Sequence, residues 1–216
     1  IIGYLGWVRT RTDLDEETRN HYIDIAYQKA LRLEQLTNEL FGFVKLEHKE
    51  MQLHLGKLDL VQLMEQMLDE MTPSFVKNEL QVEFLHTQNT IFLEADGELL
   101  ARLFGNLLNN AVKYGKEGKQ IRVSMEKEGE YVVTRVINYG RIIPKQELDH
   151  IFQKFYRTEQ SRSRDTGGTG LGLAIVQQIA ELHHGQVRVK SDLQGTVFEV
   201  ELPVGMPNGK KEDEKR

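Results

Sequence analysis

Cysteine is absent from the 216 residues of this chain, and proline occurs only four times. Without cysteine there is no disulfide framework, no thiolate-ligated zinc and no cysteine nucleophile. No apolar run approaches the roughly 18 residues that a membrane-spanning helix needs. An excess of positive charge is also absent, since 28 Lys and Arg stand against 33 Asp and Glu, for a net charge of -5. This balance argues against a general nucleic-acid-binding surface, which would need a basic face.

The first 52 residues have a helical pattern. Apolar and small side chains recur at alternating steps of three and four, a period typical of coiled coils and left-handed bundles. These seam positions are Ile23, Ala26, Ala30, Leu33, Thr37, Leu40 and Val44. The pattern predicts a short helix through about Val8 that turns back into a long helix over residues 15–51. Because a lone hairpin cannot bury such a face, we expect a second copy to cover it, and an intramolecular bundle is the alternative.

Residues 53–57 are predicted to link this hairpin to a mixed region over residues 58–204, where the hydrophobic period changes between helical and strand values. Helices are predicted at 60–76, 98–114, 146–155 and 171–183, the last of them capped by Gly185. Strands are predicted at 81–86, 91–94, 121–125, 131–137, 187–190 and 196–202. Residues 205–216 become wholly charged after Gly209 and are predicted to form a disordered tail.

Three polar side chains form a stripe on the helix predicted at 98–114. Asn106 and Asn110 are four residues apart and Lys113 follows after three, so all three lie on one face, opposite an apolar one. Carboxamide and phosphate oxygens suit Mg²⁺, and a lysine ammonium suits phosphate. The stripe therefore suggests a metal and phosphate site, with a solvated surface stripe as the alternative.

A glycine-rich segment leads from a basic, non-periodic loop into the helix predicted at 171–183. It contains Gly167, Gly168, Gly170 and Gly172. Glycine backbone lets amide N–H groups approach phosphate, and a helix N-terminus favours anions. A loop precedes these glycines where a Rossmann motif would have a strand, and the sequence contains no G-x-x-x-x-G-K-[ST] motif. The segment therefore predicts phosphate binding of another kind.

Four segments resemble the motifs of sensor histidine kinases, in the family's order and spacing. They are N-L-L-N-N-A-V-K-Y at 106–114 (N box), I-F-Q-K-F-Y-R at 151–157 (F box), G-T-G-L-G-L at 168–173, and G-T-V-F-E-V-E-L-P at 195–203 (both glycine boxes). Residues 1–52 resemble the family's dimerisation region, so the likeness extends to about Val204. It implies an α+β chain, with an N-terminal two-helix hairpin that forms a four-helix bundle in a dimer. An α/β sandwich ATP-binding domain of Bergerat type would follow.

The resemblance also implies ATP and Mg²⁺ as ligands and assigns a set of site residues. These are Asn106, Asn110, Lys113, Tyr114, Asn138, Gly140, Arg157, Gly168, Thr169, Gly170, Leu171, Gly172, Leu173 and Thr196. Asn110 would coordinate Mg²⁺, while Asn106, Lys113 and Arg157 would act catalytically at the phosphates. Tyr114 and Thr196 would lie against the adenine. The domain would donate the γ-phosphoryl group to a histidine on the hairpin, for relay to the receiver domain of a response regulator.

One motif departs from the family's pattern. The adenine-reading box is D-x-G-x-G in the family, whereas this chain has Asn138, Gly140 and Ile142 at the three fixed positions. With an asparagine in this box, the chain resembles the vancomycin-resistance type of sensor kinase. The alternative function is a catalytically degenerate nucleotide-binding or partner-binding scaffold. Gyrase-like and chaperone-like ATPases are disfavoured because they lack the preceding hairpin and the F box.

The family's phosphoacceptor histidine precedes an apolar stretch like the one at which this chain begins. We expect that histidine about two helical turns upstream of Ile1, in a longer membrane-anchored sensor of which this is a cytoplasmic portion. None of the seven histidines here fits the role, and helix-end placement of cations explains His183 and His184. We therefore expect binding of Mg-ATP without self-phosphorylation, and no contact of this chain with membrane or nucleic acid.

Overall fold

The computed structural model describes residues 1–47, 52–157 and 169–205. The chain divides into two compact units, Ile1–Lys45 and Leu46–Arg216. Gly168 and the predicted tail from residue 206 onward lie outside the described residues. Within the described part of the chain, no helix has the length and apolar character needed to cross a membrane.

The first unit contains two helices, as predicted: α1 (Ile2–Thr10) and α2 (Glu16–Glu47). The Asp15 carboxylate begins α2 by accepting hydrogen bonds from the backbone N–H and the hydroxyl of Thr18, at 2.7 and 2.8 Å. The rings of Trp7 and Tyr22 join the two helices, with centroids 4.5 Å apart. Within the seam Ala26 is buried, whereas four of the larger apolar side chains are 40–55% exposed in the single chain. These are Ile23, Leu33, Leu40 and Val44.

The second unit alternates helices and strands. Its elements are β1 (Gly56–Asp59), α3 (Leu60–Lys77), β2 (Gln81–His86), β3 (Phe92–Ala95), α4 (Gly97–Tyr114), β4 (Gln120–Glu128), β5 (Tyr131–Asn138), α5 (Lys145–Leu148), α6 (Gly172–Leu182), β6 (Gln186–Asp192) and β7 (Gly195–Pro203). A five-stranded sheet has the order β2-β4-β5-β7-β6, in which only the β2–β4 pair is parallel. β1 and β3 form a separate antiparallel pair, so a strand begins inside the segment expected to be a linker.

The core lies between the large sheet and the layer formed by α3, α4 and α6. Strand alternation directs one set of side chains inward, as Ile121, Val123 and Met125 on β4 illustrate, each at most 1% exposed. The apolar face of α4 meets them and is itself fully buried, through Leu100, Leu103, Phe104, Leu107 and Leu108. Because the apolar face of α4 packs on the sheet, the asparagine stripe lies on another face of the helix, where its residues are half-buried. α4 also packs beside α6.

Two predicted helix ends are wrong. The helix expected over 146–155 covers only Lys145–Leu148 and gives way to turns, in which the N–H groups of His150 and Gln153 donate to carbonyls three residues back. Further on, the Phe155 N–H donates to the Gly170 carbonyl at 3.0 Å and leaves the helical path. At the end of α6, His184 adopts the left-handed conformation (φ 55°) that was expected of Gly185. The Gly185 N–H bonds the Ala180 carbonyl and the His184 N–H bonds that of Glu181, which is a Schellman motif displaced by one residue.

Candidate functional site

The asparagine stripe lies on the half-buried side of α4, with Asn106, Asn110 and Lys113 along one line as predicted. The Asn106 carboxamide is fixed, because its Nδ2 donates to the Arg102 carbonyl at 2.9 Å. Among the described residues none forms a hydrogen bond with the Asn110 side chain. The Lys113 ammonium lies 4.8 Å from the centroid of the Tyr114 ring. One face of α4 therefore presents an oriented amide, an uncommitted amide and a cation.

The glycine-rich segment meets this stripe at the start of α6. A methyl group added at Gly172 would lie 3.0 Å from Oδ1 of Asn106, so the first residue of α6 and the carboxamide are in close contact. The first turn of α6 carries no acidic side chain and no side-chain cap. Its backbone N–H groups therefore provide positive potential beside the stripe. Leu171 contributes backbone only, since its side chain is 1% exposed.

The two ends of the segment that joins the F box to α6 are hydrogen-bonded together. Phe155 and Gly170 both have positive φ, 60° and 76°, and the Phe155 N–H donates to the Gly170 carbonyl. A side chain at Gly170 would meet the Phe155 backbone at 2.7 Å, so this approach requires glycine. Thr169 Oγ1 accepts the Leu171 N–H at 3.0 Å and turns the chain toward α6. Arg157, half-buried at the end of the F box, therefore lies two residues from this junction.

The C-terminal end of α4 meets the C-terminal end of β5. A methyl group at Gly140 would lie 1.7 Å from the Tyr114 carbonyl oxygen, so only glycine permits this approach. The same hypothetical methyl would lie 3.4 Å from Nδ2 of Asn138, which places that carboxamide beside the junction. Asn138 is 4% exposed, yet its carboxamide forms no hydrogen bond with another described residue. This carboxamide is therefore available to a ligand.

Thr196 lies beside Asn138 because the two residues are partners in the antiparallel pairing of β5 with β7. It is 3% exposed, and its hydroxyl lies 2.7 Å from that of Ser191 on β6. Sequence reasoning missed Ser191. The signal was the two-residue turn between β6 and β7, which places Ser191 directly opposite Thr196 with both side chains facing inward.

The fold therefore collects the predicted residues at two places along α4. In the middle of the helix Asn106 meets Gly172, and at its C-terminal end Tyr114 lies beside Gly140, Asn138 and Thr196. Eight residues separate Asn106 from Tyr114, about 12 Å along a helix. Arg157 follows Phe155 by two residues, and Thr169 directly precedes Gly170, so both lie next to the Phe155–Gly170 junction. Gly168 lies outside the described residues, and Leu173 is half-buried in the first turn of α6.

A buried histidine holds the N-terminal end of α4. The Asp96 carboxylate accepts the N–H groups of Leu99 and His54, at 3.1 and 3.0 Å, and so caps the helix. The Asp96 N–H donates to Nε2 of His183, whose Nδ1 lies 2.8 Å from the Ile179 carbonyl and therefore carries the proton. Burial lowers the pKa of His183. The interpretation of His183 as a helix-end cation is wrong, because the ring is 2% exposed and neutral, whereas His184 is exposed.

The donor set fits Mg²⁺ and a phosphate better than a metal held by the protein alone. Among the described residues, no group of three His, Asp or Glu side chains could hold an ion. Asn110 offers one uncommitted amide oxygen, and Mg²⁺ is commonly bound through one or two protein oxygens together with substrate phosphates and water. Lys113 and the N-terminus of α6 supply the charge that phosphates need.

Comparisons with known proteins agree with this arrangement. A profile of the histidine kinase-, DNA gyrase B-, and HSP90-like ATPases matches residues 95–206. Sensor protein VanS of Enterococcus faecium is 37% identical over 208 residues, which are 96% of this chain and 53% of that protein. The chain spans about half the length of the curated relatives it matches. The predicted resemblance to sensor histidine kinases is confirmed.

Two solved structures share the fold. ShkA, determined in complex with AMPPNP, is 25% identical with a TM-score of 0.76, covering 96% of this chain and 43% of its own. Histidine kinase ThkA, determined in complex with the response regulator protein TrrA, is 24% identical with a TM-score of 0.75, covering 94% of this chain and 57% of its own. The predicted α+β fold with a Bergerat-type domain is confirmed. The family match begins at the end of β3 and includes both ends of the α4 site, so the chain belongs to the histidine kinase-, DNA gyrase B-, and HSP90-like ATPases.

Proposed function

We propose that this chain is the kinase core of a two-component sensor histidine kinase, which binds Mg-ATP and directs the γ-phosphoryl group to a histidine. The observation that carries the proposal is the contact between the Asn106 carboxamide and Gly172. It brings an amide-bearing helix face and an uncapped helix N-terminus together, inside a domain of an ATPase family. The likeness to VanS favours a sensor kinase over other members of that family.

The phosphate end of the site is the stripe with the start of α6. Asn110 would hold Mg²⁺ together with phosphate oxygens, and the bound ion supplies positive charge that offsets the charge of the phosphates. Lys113 and the N–H groups of Gly172 and its neighbours would bind phosphate oxygens directly. Asn106, held by Arg102, keeps its oxygen at the start of α6 and so orients this end. Arg157 would approach the phosphates from the F box.

The base end is formed by Tyr114, Asn138, Gly140 and Thr196. The Asn138 carboxamide can accept a hydrogen bond from the 6-amino group of adenine through its oxygen. None of the described residues forms a hydrogen bond with this carboxamide, which supports the role because its oxygen can accept from a bound base. The close approach of Gly140 to the Tyr114 carbonyl sets the width of this end of the site.

Phosphoryl transfer in such a core depends on positioning and charge neutralisation. The residues of this chain bind and orient the nucleotide, and the accepting histidine is expected upstream of Ile1. The phosphoryl group would then pass to an aspartate of a response-regulator receiver domain. ThkA shares the fold of this chain and was determined in complex with the response regulator protein TrrA, which motivates this partner. The proposed location is the cytoplasmic portion of a membrane-anchored sensor.

A homodimer through residues 1–52 completes the proposal. Ile23, Leu33, Leu40 and Val44 are exposed at a spacing that a second α2 would cover. Light scattering should therefore give a dimer for the chain. Leu33→Glu should shift it toward monomer, because the charge would be placed in the seam. Leu31→Glu, the same change at an exposed leucine away from the seam, is the matched control and should leave the dimer unchanged.

The binding proposal is tested by Asn110→Ala. We expect loss of Mg²⁺-dependent ATP binding in calorimetry, with a change in stability within about 0.5 kcal/mol, because a half-buried polar side chain without partners is being shortened. Asn109→Ala is the control, since Asn109 is exposed beside it on the same helix. Equal Mg-ATP affinity in wild type and Asn110→Ala would contradict the assignment of Asn110.

Phosphorylation separates an active kinase from the degenerate scaffold. A chain extended upstream to the expected histidine should label itself from γ-labelled ATP, giving acid-labile and base-resistant phosphate. The 216-residue chain should bind ATP without such labelling. Binding without labelling in the extended chain would favour the scaffold, whereas labelling of the shorter chain would show that one of its own histidines accepts the group.

A further inference from the structure

Ser191 links two strands, β6 and β7, and the loop after β5 at the base end of the site. Its Oγ accepts the backbone N–H of Ile143 at 2.9 Å and lies 2.7 Å from Oγ1 of Thr196. Ser191 is 7% exposed and Thr196 is 3% exposed, so this pair of hydroxyls is almost fully removed from bulk water. A hydrogen bond in such surroundings holds both groups in fixed orientations.

Strand register aligns these hydroxyls with Asn138. Asn138 is the partner of Thr196 in the β5–β7 pairing, and Thr196 is the partner of Ser191 in the β7–β6 pairing. The three polar side chains therefore form one row across adjacent strands, on the helix-facing side of the sheet. Thr196 lies between Asn138 and Ser191 in this row, so Ser191 acts on the base end through Thr196.

The Ile143 contact holds the segment that follows β5. This segment departs from the family pattern at Ile142, and its course is fixed at two places. Gly140 touches the Tyr114 carbonyl, and the Ile143 N–H is bound by Ser191. Loss of the Ser191 hydroxyl would leave the Ile143 N–H without this acceptor and the Thr196 hydroxyl without this partner. Thr196 belongs to the proposed base end, and Ile143 follows Gly140 by three residues in the segment that leaves it.

The hydrogen-bonding capacity of the pair permits recognition through Thr196. The Ser191 oxygen accepts from Ile143, and one proton is shared between the two hydroxyls. Whichever hydroxyl donates, Thr196 keeps either a free lone pair or its own O–H for one further partner. Ser191 therefore limits the directions in which Thr196 can offer that remaining bond.

We propose that Ser191 is a positioning residue for nucleotide specificity: it orients Thr196 and holds the backbone at Ile143, so that the base end prefers a purine with a 6-amino group. The proposal rests on the proposed function, since it deepens the role of the same site. Ser191 acts through its neighbours and does not itself touch the nucleotide.

The experiment compares ATP with purine riboside triphosphate, which lacks only the 6-amino group. Wild type should prefer ATP. Ser191→Ala should weaken ATP binding about fivefold, the equivalent of about one net hydrogen bond. Its affinity for purine riboside triphosphate should stay within about twofold of wild type, so that the preference for ATP shrinks. Calorimetric titration in the presence of Mg²⁺ measures all four affinities.

Two further serine variants and one control keep the result interpretable. Ser191→Thr retains the hydroxyl and should restore the preference. Ser191→Cys is close in size but a poor hydrogen-bonding group, so it should lose the preference even if Ser191→Ala does not fold. Ser124→Ala makes the same chemical change on the opposite face of the sheet and should alter neither affinity.

An unchanged preference for ATP in Ser191→Ala and Ser191→Cys would overturn the proposal, and so would an equal loss of affinity for both nucleotides. The latter result would mean that Ser191 only stabilises the domain. If wild type fails to bind ATP, the proposed function fails first, an outcome distinct from ATP binding with an unaltered preference.

Discussion

Phe155 and Gly170 both adopt left-handed backbone conformations and are joined by a hydrogen bond from the Phe155 N–H to the Gly170 carbonyl, 3.0 Å long. A left-handed conformation is unfavourable for a residue with a bulky side chain. Phe155 adopts this conformation although the residue is 61% exposed. Its backbone is therefore locally strained, and the hydrogen bond to Gly170 holds it in place. This pair fixes the point at which the chain leaves the F box and the point at which it returns to α6.

Gly170→Ala should disturb this junction and weaken ATP binding. An alanine at a φ of 76° costs about 1–2 kcal/mol, and its methyl would also lie 2.7 Å from the Phe155 carbonyl carbon. Gly129→Ala is the matched control, because Gly129 has a φ of 62° with no atom near the added methyl. Urea unfolding should show some loss of stability in both variants and a greater loss in Gly170→Ala. Only Gly170→Ala should lose ATP affinity in titration, and equal affinities would remove the junction from the site.

Asn138→Asp should tighten ATP binding between a fewfold and tenfold. A hydrogen bond to a charged group contributes roughly 1.5–3 kcal/mol, against about 1 kcal/mol for a neutral pair. Without nucleotide the same variant should be less stable than wild type, because a carboxylate would be buried at a position that is 4% exposed. ATP should remain preferred over GTP in both proteins. Weaker ATP binding by the Asp form would mean that Asn138 does not face the base.

Protonation of His183 should destabilise the second unit at mildly acidic pH. Burial lowers the pKa of the folded state below the ordinary value of 6.5, so the unfolded state binds more protons in this range. The contribution of His183 is therefore fully present above about pH 6.5 and is lost as the pH falls through the folded-state value. His183→Gln should be less stable than wild type at pH 7 and should lose less stability on going to pH 5.

The control for this prediction is His184→Asn, which changes the neighbouring exposed histidine and suits its φ of 55°. This variant should show the same acid dependence as wild type in urea unfolding across the pH range. A pH dependence that survives His183→Gln unchanged would assign the effect to other groups.

Thr134→Val should stabilise the domain by about 1 kcal/mol. Thr134 is 1% exposed on the helix-facing side of β5, and its hydroxyl has no hydrogen-bond partner in the described part of the chain. Replacing an unsatisfied buried hydroxyl with a methyl of similar size removes its desolvation cost. Val136→Thr is the reverse change two residues along the same face, where the valine is 1% exposed, and should destabilise by about 1–3 kcal/mol. Equal stabilities of Thr134→Val and wild type in urea would show that the hydroxyl finds a partner in solution.

Much of the second unit could be predicted from local sequence patterns. The helix expected at 98–114 is observed as Gly97–Tyr114, since its apolar face and the Asp96 cap are properties of neighbouring residues. The hairpin of β4 and β5 and that of β6 and β7 also agree with the alternation of the sequence. The placement of Asn106, Asn110 and Lys113 along one line followed from helix geometry alone.

Other features could not be read from a local pattern. The helix expected over 146–155 ends at Leu148, and Phe155 is instead paired with Gly170, fifteen residues further along the chain. His183 looked like a helix-end cation, yet its Nε2 accepts the Asp96 N–H from 87 residues away. Burial between distant segments, which periodicity does not report, decided that this ring is neutral.

The sequence by itself determined which faces are apolar, where two of the hairpins form, and which polar side chains share the line along α4. These depend on interactions within one or two turns or across one hairpin. The tertiary structure alone decided that Asn106 meets Gly172, that Gly140 meets the Tyr114 carbonyl and that Ile143 is bound by Ser191. Each of these contacts joins segments whose distance is set by the packing of whole helices on the sheet. Hydrogen bonds and steric fit at that range exist only once the core has formed.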